Sequence, residues 1–310
     1  MTSLVARLAG LAIRLTGRRR NLARDDLDPE AAVAKRPRPA RPTRAMRREL
    51  RVTWETRDGF EVYTLTPRGP VPGGGAIYLH GGAYTSPITS LHWRFIAWMV
   101  DATGLAITVP LYPLTPEHAC KEITAFAMAI YRDGLEARGG APVALMGDSA
   151  GGGLALSLAM QVRDAGLPVP GGLVLIAPWL DVTMREPSQA RIEPSDVMLM
   201  RPGVRALGRW YAGDWAATDE RVSPLFGTLR GLPPIELLCG SHDILVADAR
   251  RLAAQARAED AALAYHEEPG LMHVYPLLGL PESRRAEARI TRFLQSVRSG
   301  AGPQAGPAPP

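Results

Sequence analysis

Hydrophobic residues in this chain change their spacing at regular intervals, and each change marks an element. From Val52, "VTWET" and "FEVYTLT" alternate apolar with polar residues around the turn letters "RDG", which predicts a β-hairpin. Short, nearly unbroken apolar runs follow: "AIYLH", "LAITVP", "PVALMG", "GLVLIAP", "PIELLCG" and, less apolar, "LAYHEEP". Each has the length of a strand buried on both faces. Helical patterns lie between them, from about Leu91 to Thr103, from about Pro116 to Arg138, in "LALSLAMQV" after Ser149, in "ILVADARRLAAQARAED" and in "PESRRAEARITRFLQSV". Strands alternating with helices predict an α/β fold, a mostly parallel sheet covered by helices on both faces and opened by antiparallel strands.

Two regions break that rhythm. Residues 183–218 lie between the strand ending near Pro178 and the one starting near Pro234, and contain no clear strand. Met198, Leu199, Met200, Trp210 and Tyr211 occur there in quick succession, so inserted helices predict a lid over a site or an anchor onto the core. The other region is the start. Leu4, Leu8, Leu11 and Leu15 stand at helical spacing with Arg7, Arg14 and Arg18 interleaved. Such a helix packs on its own protein, the commoner use, or lies on an anionic membrane through residues 1–20. The Pro- and Arg-rich "KRPRPARPTRAMRREL" after it reads as an exposed connector. The expected organisation is therefore a basic arm over 1–50, an α/β body over 51–182 and 219–298, an insertion over 183–218, and a disordered tail over 299–310.

Charge sharpens this division. Of 36 Lys+Arg and 31 Asp+Glu in the chain, 14 and 5 fall in residues 1–51, leaving a mildly acidic body with 22 and 26. A body of that sign argues against a nucleic-acid-binding surface. The two cysteines lack metal or redox spacing, which predicts reduced thiols, a cytoplasmic location and no metal centre.

The chemistry is concentrated in "ALMGDSAGGG". A strand turning abruptly into a helix around G-x-S-x-G reads as a nucleophile elbow, which holds its serine out at the tip of a strained turn, or, taken alone, as a Gly-rich turn that cradles a phosphate. Ser149 then needs a base, a carboxylate and donors for an oxyanion. Asp243 follows the strand "IELLCG", and His273 follows the strand "LAYHEEP", in the order and loop positions that hydrolases of this sheet type use. Asp248 falls a turn into a helix, His242 adjoins the acid, His266 is within a strand, and His92 and His118 precede the serine, so each fits less well. The Gly-rich "YLHGGAYTSP" after an earlier strand can aim backbone N–H groups at the same place. Tyr84, Met198, Met200, Trp210 and Tyr211 are the expected substrate-contacting residues.

The segments "HGGAY", "YPLTPEH", "GDSAGG", "APWLDVT", "SHDILVADA" and "MHVYP" resemble, in order, the hormone-sensitive-lipase-like family of α/β-hydrolase esterases, over about residues 50–298. The resemblance implies an α/β-hydrolase fold with a helical cap built from the N-terminal segment and the insertion. It also implies serine-dependent hydrolysis of short to medium acyl esters, a small-molecule ester as partner, and no metal or cofactor. By position it makes Ser149, Asp243 and His273 the triad. Gly82, Ala83 and Ala150 become oxyanion donors, with Gly81 shaping the turn. Ala83 replaces a usual glycine, and its methyl reshapes the acyl side. The family often has an arginine where this chain has Pro113, so that arginine's interaction is expected to be missing. Lactone or N-acetyl amide hydrolysis would use the same triad, and a ligand-binding protein on this scaffold is the reading from another class. Oligomeric state is not legible in the chain.

Overall fold

The computed structural model describes residues 2–69, 74–141 and 143–299; the tail predicted beyond Ser299 lies outside them. Among these residues an eight-stranded sheet runs through the molecule in the order β1-β2-β4-β3-β5-β6-β7-β8. The predicted hairpin is β1 (Leu50–Arg57) and β2 (Phe60–Pro67), paired antiparallel around Asp58 and Gly59. β2 pairs antiparallel with β4 (Ala106–Pro110). Parallel neighbours then follow: β3 (Gly75–Leu79), β5 (Val143–Asp148), β6 (Leu173–Ile176), β7 (Ile235–Gly240) and β8 (Leu263–Glu268).

β3, β5, β6 and β7 are buried along their whole length, which is why their sequences run apolar rather than alternating. The helices in chain order are α1 (Leu4–Leu15), α2 (Pro29–Ala34), α3 (Arg44–Glu49), α4 (Ser90–Thr103), α5 (Cys120–Glu136), α6 (Ala150–Asp164), α7 (Pro187–Ile192), α8 (Arg201–Ala212), α9 (Val246–Ala258) and α10 (Ser283–Ser299). α4 packs with α10 and α5 with α6, so helices cover both faces of the sheet. α6 is buried almost all round, as its small, apolar "LALSLAMQV" requires.

Three expectations change. The helix expected from Pro116 begins at Cys120, because residues 115–118 form a turn of their own. There Arg36 of the N-terminal arm donates to both Glu117 carboxylate oxygens, at 2.7 and 2.8 Å, and to the Thr115 carbonyl at 2.5 Å. An arginine thus does reach this turn, from a distant part of the chain rather than from position 113. The third change concerns α1. Its packed side carries Ala6, Gly10 and half-buried Ile13, while Leu4, Leu8, Leu11 and Leu15 all point outward. Small residues win the inner face because the helix comes close to the loop holding Met272; a Cβ on Gly10 would sit 3.4 Å from Met272 Cε.

The arm and the insertion also meet each other. Arg19 donates to the Glu193 carbonyl at 2.9 Å, Arg205 pairs with Asp25 at 3.2 Å, and Arg209 donates to the Asp25 carbonyl at 2.5 Å. The Leu22 backbone fits so tightly over α8 that a Cβ on Gly203 would come within 2.4 Å of its Cα.

Candidate active site

Ser149 stands between β5 and α6 with φ 53° and ψ −122°, a backbone that side-chain-bearing residues seldom adopt. Crowding across the turn explains its neighbours. A Cβ on Gly147 would lie 2.2 Å from the Gly151 carbonyl oxygen, and one on Gly151 would lie 1.9 Å from that of Leu79. The strained turn is pinned from both sides. Ser149 N–H donates to the Ile176 carbonyl at 2.8 Å, and the Ser149 carbonyl accepts from Trp179 N–H at 2.9 Å.

Two loops at the carboxyl ends of β7 and β8 bring the other partners. They are zipped together: His242 N–H donates to the Leu271 carbonyl at 2.9 Å, and Gly270 N–H to the Ser241 hydroxyl at 2.7 Å. The His273 ring is thereby presented with Nδ1 2.7 Å from Asp243 Oδ2 and Nε2 2.9 Å from Ser149 Oγ. With Nδ1–H donating to the carboxylate, Nε2 accepts from the serine hydroxyl. Asp243 is fully buried and its other oxygen takes the Leu245 N–H at 2.9 Å, while Ser149 keeps 9% of its surface exposed. Burial pushes the His273 imidazolium toward losing its proton, but the Asp243 charge and hydrogen bond together with the charges of Asp196 and Asp148 outweigh it, and the net shift is upward.

The loop expected to supply oxyanion donors follows β3. Gly82, Ala83 and Tyr84 have φ of 124°, 53° and 60°, three successive residues with positive φ. Among the described residues, the backbone N–H groups of Gly82, Ala83 and Ala150 have no hydrogen-bond partner. Gly81 differs, since its N–H donates to Asp148 Oδ1 at 2.9 Å. Asp148 also takes the Tyr78 hydroxyl at 2.7 Å, and His92 Nε2 lies 3.3 Å from its other oxygen. The residue before the serine therefore ties the oxyanion loop to the elbow. His80 holds the same loop through Nδ1, 2.7 Å from the Gly81 carbonyl, and burial pushes its own pKa down to about 4, so the ring is a neutral donor.

The expected substrate-contacting residues divide. Met198, Met200 and Trp210 are half-buried in the insertion. Tyr84 and Tyr211 are enclosed in the core instead, their rings stacked with centroids 3.5 Å apart and an interplanar angle of 6°, and Tyr84 stacks further on Trp179. They join the oxyanion loop to α8, which is an anchoring role. His266 pairs with Glu236 at 3.0 Å, and Asp248 is buried against Arg251 and Gln189, its carboxyl pushed up to about 7 by burial and by Asp181.

Sequence reasoning missed Asp196. Its side chain is 1% exposed and accepts three backbone N–H groups: Met198 and Leu199 at 2.8 Å, and Ile244 at 2.9 Å. It joins the insertion to the residue after Asp243. Burial and the Asp243 charge push its carboxyl up to about 6.

A strained serine, an imidazole between it and a buried carboxylate, and unpaired amides beside them define the site class of hydrolases built on this sheet. The family profile described as alpha/beta hydrolase fold matches residues 76–277. The chain belongs to that family and, within it, to the esterase-class hydrolases. It is 35% identical over 230 residues to an acetyl-hydrolase of Streptomyces hygroscopicus, covering 71% of this chain and 75% of the relative. It is also 35% identical over 228 residues to a triacylglycerol lipase of Mycobacterium tuberculosis, covering 73% of this chain and 47% of that longer protein. The crystal structure of an esterase from the bacterial hormone-sensitive lipase family superposes with a TM-score of 0.80 at 24% identity, covering 96% of this chain and all of that one, a likeness of fold.

Proposed function

We propose that the protein is a serine carboxylic-ester hydrolase that takes short to medium acyl esters through an acyl-enzyme intermediate. One observation carries this: Ser149 Oγ, His273 and Asp243 are in hydrogen-bonding line, at 2.9 and 2.7 Å, beside the unpaired N–H groups of Gly82, Ala83 and Ala150. In the proposed mechanism His273 Nε2 takes the serine proton as Oγ bonds to the ester carbonyl carbon. The carbonyl oxygen becomes negative among the three amides, and Asp243 steadies the imidazolium. Collapse breaks the bond to the alcohol oxygen, which leaves with the proton held by His273. Water, deprotonated by the same nitrogen, then releases the acid and restores the serine.

The arm and the insertion together serve as the cap, and Met198, Met200 and Trp210 are the residues we assign to the acyl chain. The Ala83 methyl beside the oxyanion donors favours short acyl groups, in keeping with the Streptomyces relative named an acetyl-hydrolase.

Rates across esters of graded acyl length, lactones and N-acetyl amides test the assignment, together with fluorophosphonate labelling. Acyclic esters of short chain are expected to turn over fastest. Ser149→Ala is expected to lose the label and to keep only the roughly 10³–10⁴-fold advantage over water that binding and the oxyanion donors supply. A labelled Ser149→Ala variant overturns the nucleophile assignment, and preferential turnover of lactones or amides overturns the ester.

A further inference from the structure

We infer that the outer face of α1 is a docking surface for an anionic lipid bilayer. On this helix the leucines are turned away from the protein. Leu4, Leu8, Leu11 and Leu15 are 67%, 55%, 55% and 78% exposed, and Val5 and Ala12 extend the same face. Isolated exposed leucines are ordinary, but four in a continuous stripe along one helix are not.

Charge identifies the occupant. Arg7 and Arg14 lie on α1 along one border of the stripe, and Arg20 follows in the next turn of chain. All three are exposed and have no ion-pair or hydrogen-bond partner among the described residues. No Asp or Glu occurs before Asp25, so nothing in this segment opposes a negative surface. An apolar stripe with arginines along its edge matches the boundary between acyl chains and anionic headgroups, where leucines enter and guanidinium groups stay with phosphates. A second protein molecule would have to cover the leucines while leaving these arginines unpaired or meeting them with acids. No helix among the described residues is long and apolar enough to cross a membrane, so the contact is peripheral.

The placement of α1 gives the contact a use. The inner face of the helix lies against Met272, the residue before His273, and its start is fixed by Ser3, whose N–H and hydroxyl donate to Glu282 at 2.6 and 3.0 Å. A bilayer touching the outer face is therefore one helix diameter from the histidine loop. Esters held in or leaving a membrane are the substrates that such seating favours. This last step rests on the proposed hydrolase function; the docking itself does not.

The test is flotation of the full-length protein with vesicles of phosphatidylcholine alone and of phosphatidylcholine with phosphatidylglycerol, at low and high salt. The protein is expected to float with the anionic vesicles, less so in high salt. Arg7→Gln with Arg14→Gln should weaken binding by about 25-fold, at about fivefold for each charge near the surface. Leu8→Glu with Leu11→Glu should abolish it. Both pairs are exposed, so unchanged circular dichroism and thermal midpoint are expected and separate lost docking from lost folding. Equal flotation of the wild type and the Leu8→Glu, Leu11→Glu variant overturns the proposal. So does a wild type that stays unbound, and sedimentation equilibrium then reports whether the leucines cover a second copy instead. The readout needs no turnover, so its failure leaves the hydrolase assignment standing.

Discussion

An imidazole as enclosed as that of His273 ordinarily gives up its proton readily, yet here three neighbouring carboxylates, Asp243, Asp196 and Asp148, reverse the balance. Asp243 contributes most of the attraction and Asp196 adds to it from the insertion side. The base is half-protonated above the ordinary histidine value of 6.5, and kcat/KM is expected to fall as pH drops through that raised value. Asp196→Asn removes a negative charge, so the imidazolium is less favoured and the acid limb moves to lower pH. The same change sets an amide N–H against the Ile244 N–H, and kcat falls with it. A pH–rate profile checks both effects; a limb that does not move would mean the Asp196 charge fails to reach His273. The convergence of Ser149, His273 and Asp243 was legible because three residues had to fall in a set order on loops after strands. Asp196 was not, because a lone aspartate in a strandless segment looks like local turn chemistry, and its bonds to Met198 and Leu199 are of that kind. Only the third bond, to Ile244 across 48 positions, reveals its link to the acid loop. Tyr84 and Tyr211 illustrate the same limit, since a stack between residues so far apart in the chain leaves no spacing to read.

Elements were legible where period and turn letters agreed, as in the hairpin at Asp58 and Gly59 and the elbow at Ser149. They were misread where a partner from elsewhere decides. Helix α5 starts late because Arg36 stabilises a separate turn, and α1 turns its leucines outward because close approach to Met272 favours Ala6 and Gly10 inside. The Arg36 contact yields a measurable consequence. Its hydrogen bond to Glu117 holds that carboxyl below the ordinary value of 4.5, against a smaller opposing effect of burial. A lowered folded-state pKa contributes stability above the ordinary value, and that contribution is lost as pH falls through the lowered one. Glu117 is 43% exposed, so solvent screens the pair, and the bond to the Thr115 carbonyl carries much of the rest. Arg36→Ala is expected to lower stability by about 1 kcal/mol at neutral pH. The deficit should shrink as the solution is acidified toward pH 3, as followed by urea denaturation. A constant deficit across that range would place the effect in packing rather than in the charge pair.

At the scale of the whole molecule, the strongly basic arm and the mildly acidic body are one structure, because the arm lies on the insertion. Leu22 fills the space over Gly203, Arg19 holds the Glu193 carbonyl, and Asp25 receives both Arg205 and Arg209. Glu193 in turn accepts the Arg201 N–H at the start of α8, at 2.6 Å, so the arm supports the helix that carries Trp210. Tyr211, on the same helix, stacks on Tyr84 of the oxyanion loop. Support given at residue 19 is thus passed by direct contact to the loop after β3 that carries Gly82, Ala83 and Tyr84. Deleting residues 2–25 removes that support, and with it the packing of α1 on Met272 beside His273, while Ser149, Asp243 and His273 stay in the chain. We expect a lower thermal midpoint, by about 2 °C for each kcal/mol lost in a chain of this size. On the proposed assignment of the acyl chain to the insertion, we also expect KM to rise more for longer acyl esters than for acetyl esters. An unchanged midpoint and an unchanged acyl-length profile would make the arm an appendage to the body, and its contacts with α8 would then hold the arm in place without shaping the site.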